Sequence, residues 1–293
     1  MARAESRPRN GGTAPDGRVR VTCLIENTAN DPALAAEHGL SMWIEARGLR
    51  VLLDTGQSGA CIENARRLGI ALADADFIVL SHGHYDHTGG LAAALAAAPA
   101  ARLVAHPAAA AARYAVRPGE AVREIGMPAS ARDAIARLNR ARIVRSGEPV
   151  LLAEGIGVTG PIPRETSFED AGGPFFLDQA GARPDAIPDD QALWIAAAGG
   201  LVVIAGCCHA GVINTLRHAR RASGIAAIRA VIGGFHLGNA NPERLAATAA
   251  ALEDLRPALL APCHCTGERA TEVLRNAFGA RVVRCAAGSR LQF

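Results

Sequence analysis

The sequence predicts an α/β protein built as a four-layer αβ/βα sandwich, with its functional site at one edge between two sheets. Two observations carry this prediction. Apolar runs at 19–25, 41–46 and 50–54 follow one another as the strands of a β-meander. From residue 193 onward, short apolar strands alternate with helical segments, which is typical of a second sheet covered by helices.

The chain is expected to form a single domain over 19–293. Residues 1–18 combine Pro, Gly and charge without periodicity, so this segment is predicted to be a disordered tail. A long irregular loop is expected between the predicted strands at 155–159 and 193–197. The other predicted elements are strands at 77–80, 102–105, 201–205, 228–232, 258–261 and 281–285, and helices at 59–68, 91–98, 129–140, 212–221, 242–255 and 266–278.

Composition favours a globular protein with a sizeable core. Hydrophobic residues make up 49% of the 293 residues, and the net charge of +3 is mild. Arginines are scattered and not bunched, so no nucleic-acid partner is expected. Seven cysteines form no even framework, which favours reduced thiols in the cytoplasm. No apolar stretch reaches about 18 residues, so no membrane segment is expected, and the oligomeric state is left open.

A cluster of metal-binding residue types follows the predicted strand at 77–80. His82, His84, Asp86 and His87 fall within six residues, where the strand ends. Imidazole and carboxylate groups suit Zn²⁺, Fe²⁺ or Mn²⁺, and one ion would use fewer than four of them. His82 and His84 can point the same way and share an ion, whereas Asp86 and His87 can hold a second. The sequence therefore predicts two divalent transition-metal ions, zinc first and then iron or manganese.

Three further predicted strands also end in a histidine. His209 follows Cys207, and because no second pair at structural-zinc spacing accompanies them, a ligand role is favoured. His264 precedes a predicted helix and is also expected to be a ligand. For His236, a ligand, a substrate contact and a buried core imidazole all remain open, and we predict the substrate contact.

Asp54, Thr266 and Gly267 are the remaining candidates. Asp54 ends a strand, where it could hold a ligand imidazole through its second nitrogen or simply form a turn before Thr55. Thr266 is predicted to be the N-cap of the last helix, and Gly267 would let a ligand approach the free N–H groups there. The same geometry also serves a plain helix cap. With that alternative open, Thr266 and Gly267 are predicted to bind an anionic substrate group.

The segment His82-Gly-His84-Tyr-Asp86-His87 resembles the signature of the metallo-β-lactamase superfamily. Within it, the chain is most similar to the 7,8-dihydropterin-6-methyl-4-(β-D-ribofuranosyl)-aminobenzene-5′-phosphate synthase-like group. The resemblance implies the four-layer fold of that superfamily. Where the superfamily usually carries a bridging Asp, this chain has Gly206 and Cys207, so Cys207, a water or a hydroxide could bridge the ions. The motifs that carry the resemblance are Asp54-Thr55-Gly56, residues 81–90, 206–211 and 233–237, and His264-Cys-Thr-Gly267.

On this resemblance, His82, His84 and His209 are assigned to one ion, and Asp86, His87 and His264 to the other. Asp86 is also predicted to be catalytic, orienting a water and taking its proton. The expected function is metal-dependent hydrolysis or a related transfer by a metal-bound hydroxide, on a small phosphorylated, pterin-like or nucleotide-like substrate. A lactonase or another ester or thioester hydrolase is the alternative, because ligands define a reaction type and not a substrate.

Overall fold

The computed structural model describes residues 2–3 and 18–293, so the predicted tail at 1–18 lies almost entirely outside the described residues. Two seven-stranded sheets pack face to face, and short segments form a three-stranded sheet. Helices cover the outer face of each large sheet, which confirms the predicted four-layer αβ/βα sandwich.

The strands, in chain order, are β1 (Ala2–Arg3), β2 (Val19–Ile25), β3 (Ser41–Ala46), β4 (Leu49–Leu53), β5 (Phe77–Val79), β6 (Arg102–Ala105), β7 (Tyr114–Ala115), β8 (Arg123–Glu124), β9 (Ile143–Arg145), β10 (Val150–Ala153), β11 (Ile156–Val158), β12 (Phe175–Phe176), β13 (Ala192–Ala197), β14 (Gly200–Ala205), β15 (Ile228–Gly234), β16 (Leu260–Cys263) and β17 (Arg290–Gln292). The α-helices are α1 (Ala60–Arg67), α2 (Tyr85–Thr88), α3 (Leu91–Ala97), α4 (Ala129–Arg137), α5 (Val212–Ser223), α6 (Pro242–Leu255) and α7 (Glu268–Phe278).

The first large sheet has the strand order β17-β2-β3-β4-β5-β6-β9. The strands β2, β3 and β4 pair antiparallel, as the predicted meander requires. The strands β4, β5, β6 and β9 then pair in parallel, so their carboxyl ends lie at one edge. Helices α1, α3 and α4 cover the outer face, where Leu52 and Ile78 belong to one buried cluster with Ala65 and Leu91.

The second large sheet has the order β1-β10-β11-β13-β14-β15-β16, and β14, β15 and β16 pair in parallel. Helices α5, α6 and α7 cover its outer face through a cluster that includes Leu216, Leu252 and Leu274. The inner faces of the two sheets share a third cluster, which contains Ile44 and Ile204. Burial of apolar residues on both faces fits the nearly continuous hydrophobic runs of the parallel strands.

Local sequence chemistry explains why these elements begin and end where they do. The hairpin between β13 and β14 turns at Gly199, whose φ of +83° suits glycine. Helix α6 begins after Asn241, whose side chain accepts a hydrogen bond from the Arg244 N–H at 2.8 Å. Pro242 occupies the first turn of that helix, where its missing N–H costs nothing.

Two predictions near the C-terminus, the strand at 281–285 and the N-cap at Thr266, are wrong. The predicted strand at 281–285 makes only one isolated bridge, between Leu260 and Val282. The chain then crosses to the first sheet, where β17 pairs with β2. The last helix begins at Glu268, and Gly267, not Thr266, is its N-cap. The strands β9 and β10 lie in a stretch where the sequence pattern predicted no strand.

The strands that run into histidines end close together. The parallel register aligns Ile204 with Ile232 and Gly234 with Cys263, so β14, β15 and β16 finish at the same edge. The strand β5 of the facing sheet ends at Val79, shortly before the histidine cluster. Ligands of α/β proteins commonly bind at such carboxyl ends. None of the helices in the described part of the chain has the length and apolarity needed to cross a bilayer.

Candidate metal centre

The first cluster of donors consists of His82, His84 and His209, which offer ring nitrogens within 4.8 Å of one another. The Nε2 atoms of all three are buried and have no hydrogen-bond partner among the described residues. A buried polar atom without a partner is costly, and three of them converging is the arrangement expected of metal ligands. The structure thus brings together the three residues that were assigned to one ion.

The other ring nitrogens of two of these histidines are engaged. The Ser81 hydroxyl donates to the Asp54 carboxylate at 2.6 Å, and it therefore accepts the Nδ1–H of His82 at 2.9 Å. The His209 Nδ1–H donates to the Ala171 carbonyl at 3.0 Å. Both bonds leave an Nε2 lone pair free to bind a cation.

Burial keeps these imidazoles neutral. It lowers the pKa of His84 to about 3, and it lowers the pKa values of His82 and His209 well below the ordinary range. Neighbouring histidines add to the effect on His82 and His209. A neutral imidazole is the form that binds a metal, so no proton has to leave these three side chains.

The second cluster consists of Asp86, His87 and His264. The two Nε2 atoms of the histidines are 3.2 Å apart, and Asp86 Oδ2 lies 3.3 Å from His264 Nε2 and 3.8 Å from His87 Nε2. The His264 Nδ1–H donates to the Asn27 amide oxygen at 3.0 Å, so its unprotonated Nε2 faces His87 and Asp86. His38, which the sequence did not place at the site, has its Nε2 3.2 Å from Asp86 Oδ2. The three residues assigned to the second ion are therefore also together.

Asp54 connects the two clusters through hydrogen bonds to His87 and, by way of Ser81, to His82. Its buried carboxylate accepts the Nδ1–H of His87 at 2.7 Å, the Ser81 hydroxyl at 2.6 Å and the Ser81 backbone N–H at 2.7 Å. Burial lowers the pKa of His87, but the carboxylates of Asp86 and Asp54 outweigh it and raise that pKa to about 9. An ion bound by His87 Nε2 would therefore displace a proton.

Cys207 lies between the two clusters. Its Sγ atom is 3.2 Å from His87 Nε2, and it forms donor groups with His82 and His87 and with His264 and Cys265. Burial raises the pKa of the Cys207 thiol. For Cys265, burial raises the pKa, but the Cys207 hydrogen bond and the nearby His236 lower it well below the usual value. Cys265 belongs to the same donor group, although no role was predicted for it.

The three predicted substrate-binding residues have different surroundings. The His236 ring lies 4.3 Å from the His209 ring, centroid to centroid, and its Nδ1 atom is buried without a partner among the described residues. Thr266 is fully buried, and its hydroxyl accepts the Phe235 N–H at 3.0 Å, so its predicted capping role is wrong. Gly267 packs against Gly238, because a Cβ on Gly267 would lie 2.9 Å from the Gly238 Cα.

A buried ion triad supports the loop that carries His82 and His84. Arg113 is fully buried and bonds to Asp185 at 2.8 Å and to Asp189 at 2.9 Å. Asp189 also accepts the Gly83 N–H at 2.7 Å, which fixes the backbone between the two histidines. A Cβ on Gly83 would lie 1.9 Å from the Ala109 carbonyl oxygen, so only glycine fits there. Sequence reasoning missed this triad because its members lie far apart along the chain.

We expect Arg113→Met to lower the free energy of unfolding by about 3–5 kcal/mol, because it leaves two buried carboxylates without their cation. Urea denaturation measures the change. The triple variant Arg113→Met, Asp185→Asn, Asp189→Asn removes the stranded charges and should recover part of the loss. Equal stability of the single variant and the unmodified protein would show that the triad does not hold this loop.

Comparison with known proteins places the chain in a family. The model of the Metallo-beta-lactamase superfamily matches residues 35–264, and the chain belongs to that superfamily. The 7,8-dihydropterin-6-methyl-4-(beta-D-ribofuranosyl)-aminobenzene-5'-phosphate synthase of Methanocaldococcus jannaschii is 32% identical over 287 residues, which cover 94% of this chain and 97% of that protein. An uncharacterised protein of the same organism is 31% identical and covers 85% of this chain and 91% of its own length.

A solved structure agrees with these sequence relatives. The crystal structure of Tm1679, described as a metal-dependent hydrolase of the beta-lactamase superfamily, superposes with a TM-score of 0.78 and 29% identity. The match covers 93% of this chain and 98% of Tm1679. The fold and the family predicted from the sequence are therefore both confirmed.

Proposed function

We propose that this protein is a dinuclear metal-dependent enzyme, a hydrolase or a related transferase. The observation that carries the proposal is the presence of two donor clusters at one buried edge. The first has three Nε2 atoms that lack partners among the described residues, and in the second Asp86 Oδ2 lies 3.3 Å from His264 Nε2 and 3.8 Å from His87 Nε2. His82, His84 and His209 would hold one ion, and Asp86, His87 and His264 the other. Imidazole and carboxylate donors make up both proposed ligand sets, and they suit zinc, with iron or manganese as alternatives.

When bound, two such ions would supply an activated water and would polarise the group under attack. The chain's own residues orient and exchange protons around that reaction. Asp86 is the proposed proton acceptor, because its Oδ2 lies beside His264 and His38 at the second cluster. Asp54 fixes the ring of His87, and Cys207, whose Sγ atom is 3.2 Å from His87 Nε2, is a proposed further donor between the two clusters.

The proposed substrate is a small phosphorylated molecule of pterin-like or nucleotide-like character. The support is the name of the archaeal relative, which describes a dihydropterin compound bearing a ribofuranosyl phosphate. That relative matches nearly the whole chain, so the comparison concerns the complete site. The proposed compartment is the cytoplasm, since all seven cysteines are free thiols in the structure.

A panel of substrates tests this function. We expect the metal-loaded protein to act on phosphorylated pterin-like or nucleotide-like compounds at least about tenfold faster, in kcat/KM, than on neutral lactones and thioesters, a difference of about 1.4 kcal/mol in transition-state binding. Inorganic phosphate should inhibit weakly and competitively. A lactone turned over orders of magnitude faster than every phosphorylated compound would replace the proposal with a lactonase.

A further inference from the structure

A cavity of about 410 Å³ adjoins the metal centre, and its chemistry has no part in the ligand set described above. It lies between the loop at 170–173 and the start of helix α6. Its volume falls within the range of small-ligand pockets. The residues that line it are Asp170, Ala171, Gly172, Gly173, His236, Asn239, Ala240 and Arg244.

Arg244 is the unusual member of this lining. The residue is only 6% exposed, although arginine is rarely buried without full pairing. Its Nη1 atom pairs with Asp170, but its Nε and Nη2 atoms are buried and have no partner among the described residues. A buried guanidinium with two unused donors is costly unless a ligand or water takes them.

We propose that this cavity binds the phosphate group of the substrate, with Arg244 as the principal contact. The inference rests on the proposed function and adds the place where the substrate's anionic end is held. Nε and Nη2 of one guanidinium form a planar fork that matches two oxygens of a phosphate. The buried Nδ1 atom of His236 offers a further hydrogen-bonding group in the same cavity.

The position of the cavity suits a substrate that spans two subsites. Its wall residue Ala171 accepts the hydrogen bond from His209, one of the proposed ligands. The His236 ring, on the same wall, lies 4.3 Å from the His209 ring, centroid to centroid, at an interplanar angle of 45°. A molecule with its phosphate at Arg244 would therefore place its remaining part toward the two donor clusters. This assigns the predicted substrate contact of His236 to the anionic end of the substrate.

The carboxylates near the cavity oppose an anion only weakly. Asp170 is the one acidic residue among those lining the cavity, and its side chain is 71% exposed, so water screens much of its charge. Glu169 is close, but its oxygens accept hydrogen bonds from the backbone N–H groups of Ile213 and Asn214. Both carboxylates weaken anion binding, and the Asp170 contribution can be removed by mutation.

Gly172 allows the loop at 170–173 to lie close to the His236 ring. A Cβ on Gly172 would lie 1.8 Å from the His236 ring, and the φ of Gly172 is +81°. Asp170 holds this turn, because its carboxylate accepts the Gly172 N–H at 2.7 Å as well as Arg244. Asp170 thus connects the loop at 170–173 to Arg244.

The anion pocket predicted at Gly267 is lined by charges that are less favourable for binding an anion. The cleft of about 690 Å³ beside Gly267 contains Arg275 and Arg284, but both are exposed. Glu268 and Glu272 line the same cleft and oppose an anion. Exposed, mixed charges of this kind are typical of a solvated surface. We therefore place the proposed phosphate site at Arg244 and not at Gly267.

The test is isothermal titration of inorganic phosphate into the metal-loaded protein and its variants. Arg244→Gln should weaken phosphate binding by about 10- to 100-fold, because hydrogen bonds to a charged group are lost. Asp170→Asn keeps the hydrogen bonds of the turn and removes the opposing charge, so it should tighten binding by about 2- to 5-fold. Arg281→Gln, which breaks an exposed arginine–carboxylate pair with Glu253, is the control for loss of an arginine and should leave phosphate affinity unchanged.

Two comparisons define the ligand and separate the outcomes. Ribose 5-phosphate should bind more tightly than ribose, and phosphate more tightly than acetate. Both differences in affinity should disappear in Arg244→Gln. Equal phosphate affinity in the unmodified protein and Arg244→Gln would overturn the inference and place any bound phosphate at the metals. If Arg244→Gln does not fold, Asp170→Asn decides, since unchanged or weaker binding there also overturns it.

The same experiments distinguish this inference from the proposed function. Loss of phosphate affinity in Arg244→Gln, together with preferred turnover of a neutral lactone, would retain the phosphate site and reject the proposed substrate. A preference for phosphorylated substrates that survives Arg244→Gln would retain the function and reject the site.

Discussion

Replacing His84 with alanine is expected to remove about one ion per chain and to lower turnover by more than about 100-fold. Three buried Nε2 atoms form the first cluster, and two of them alone do not complete a stable site for a transition metal. Loss of an outer hydrogen-bonding partner already costs about 10- to 100-fold in metal affinity or activity, so loss of a ligand should cost more. Elemental analysis and turnover are measured on the same preparation, and the unmodified protein should carry close to two ions.

His236→Ala is the matched control for this prediction, because His236 also lies beside His209. It should retain the metal content of the unmodified protein and change mainly the KM for phosphorylated substrates. Equal metal loss in the two variants would make His236 a ligand and would contradict the assignment of the clusters. A fully active, metal-free preparation of the unmodified protein would contradict the dinuclear proposal itself.

Asp54→Asn is expected to lower affinity for the ion at His87 by about 10- to 100-fold, with a matching loss of turnover at limiting metal. The Asp54 carboxylate accepts three hydrogen bonds, and an amide can accept at only one of its two ends. The amide N–H₂ group would therefore face either His87 or Ser81 as a second donor. Competition with a metal indicator measures the two affinities separately.

Asp76→Asn provides the comparison for Asp54→Asn. Asp76 precedes β5 at the opposite end from the histidines, and its carboxylate accepts the Arg50 N–H at 2.8 Å. It should leave both metal affinities unchanged. Metal binding in Asp54→Asn that matches Asp76→Asn would mean that Asp54 only shapes the turn, which is the alternative that the sequence left open.

The fold and the residues that meet in the two donor clusters could be predicted because their signals are local. The strand β5 and the residues from His82 to His87 form one continuous pattern, and His209 and His264 each follow a strand in the same way. Parallel strands end at a common edge, so strand ends alone indicate which side chains can meet. For Asp54 the sequence left a contact with an imidazole and a plain turn both open, and the structure shows a hydrogen bond to His87.

The parts that could not be predicted depend on contacts between distant segments. Arg244 in a helical stretch looks like an ordinary surface residue, and only its burial against the loop at 170–173 shows otherwise. Arg113 and its two aspartates belong to stretches with no regular pattern. The Thr266 error arose because a capping residue type stood one position too early, and the Phe235 N–H already used its hydroxyl.

The proposed ligands come from both sheets, and this has a thermodynamic consequence. Each ion would join side chains that follow β5 to a histidine that follows β14 or β16, so neither half of the chain holds a complete site. Binding would then be coupled to the docking of the two halves, and unfolding of either half would release both ions. The stability of the whole molecule would follow mass action, gaining about 2.7 kcal/mol per site at free metal a hundredfold above its dissociation constant.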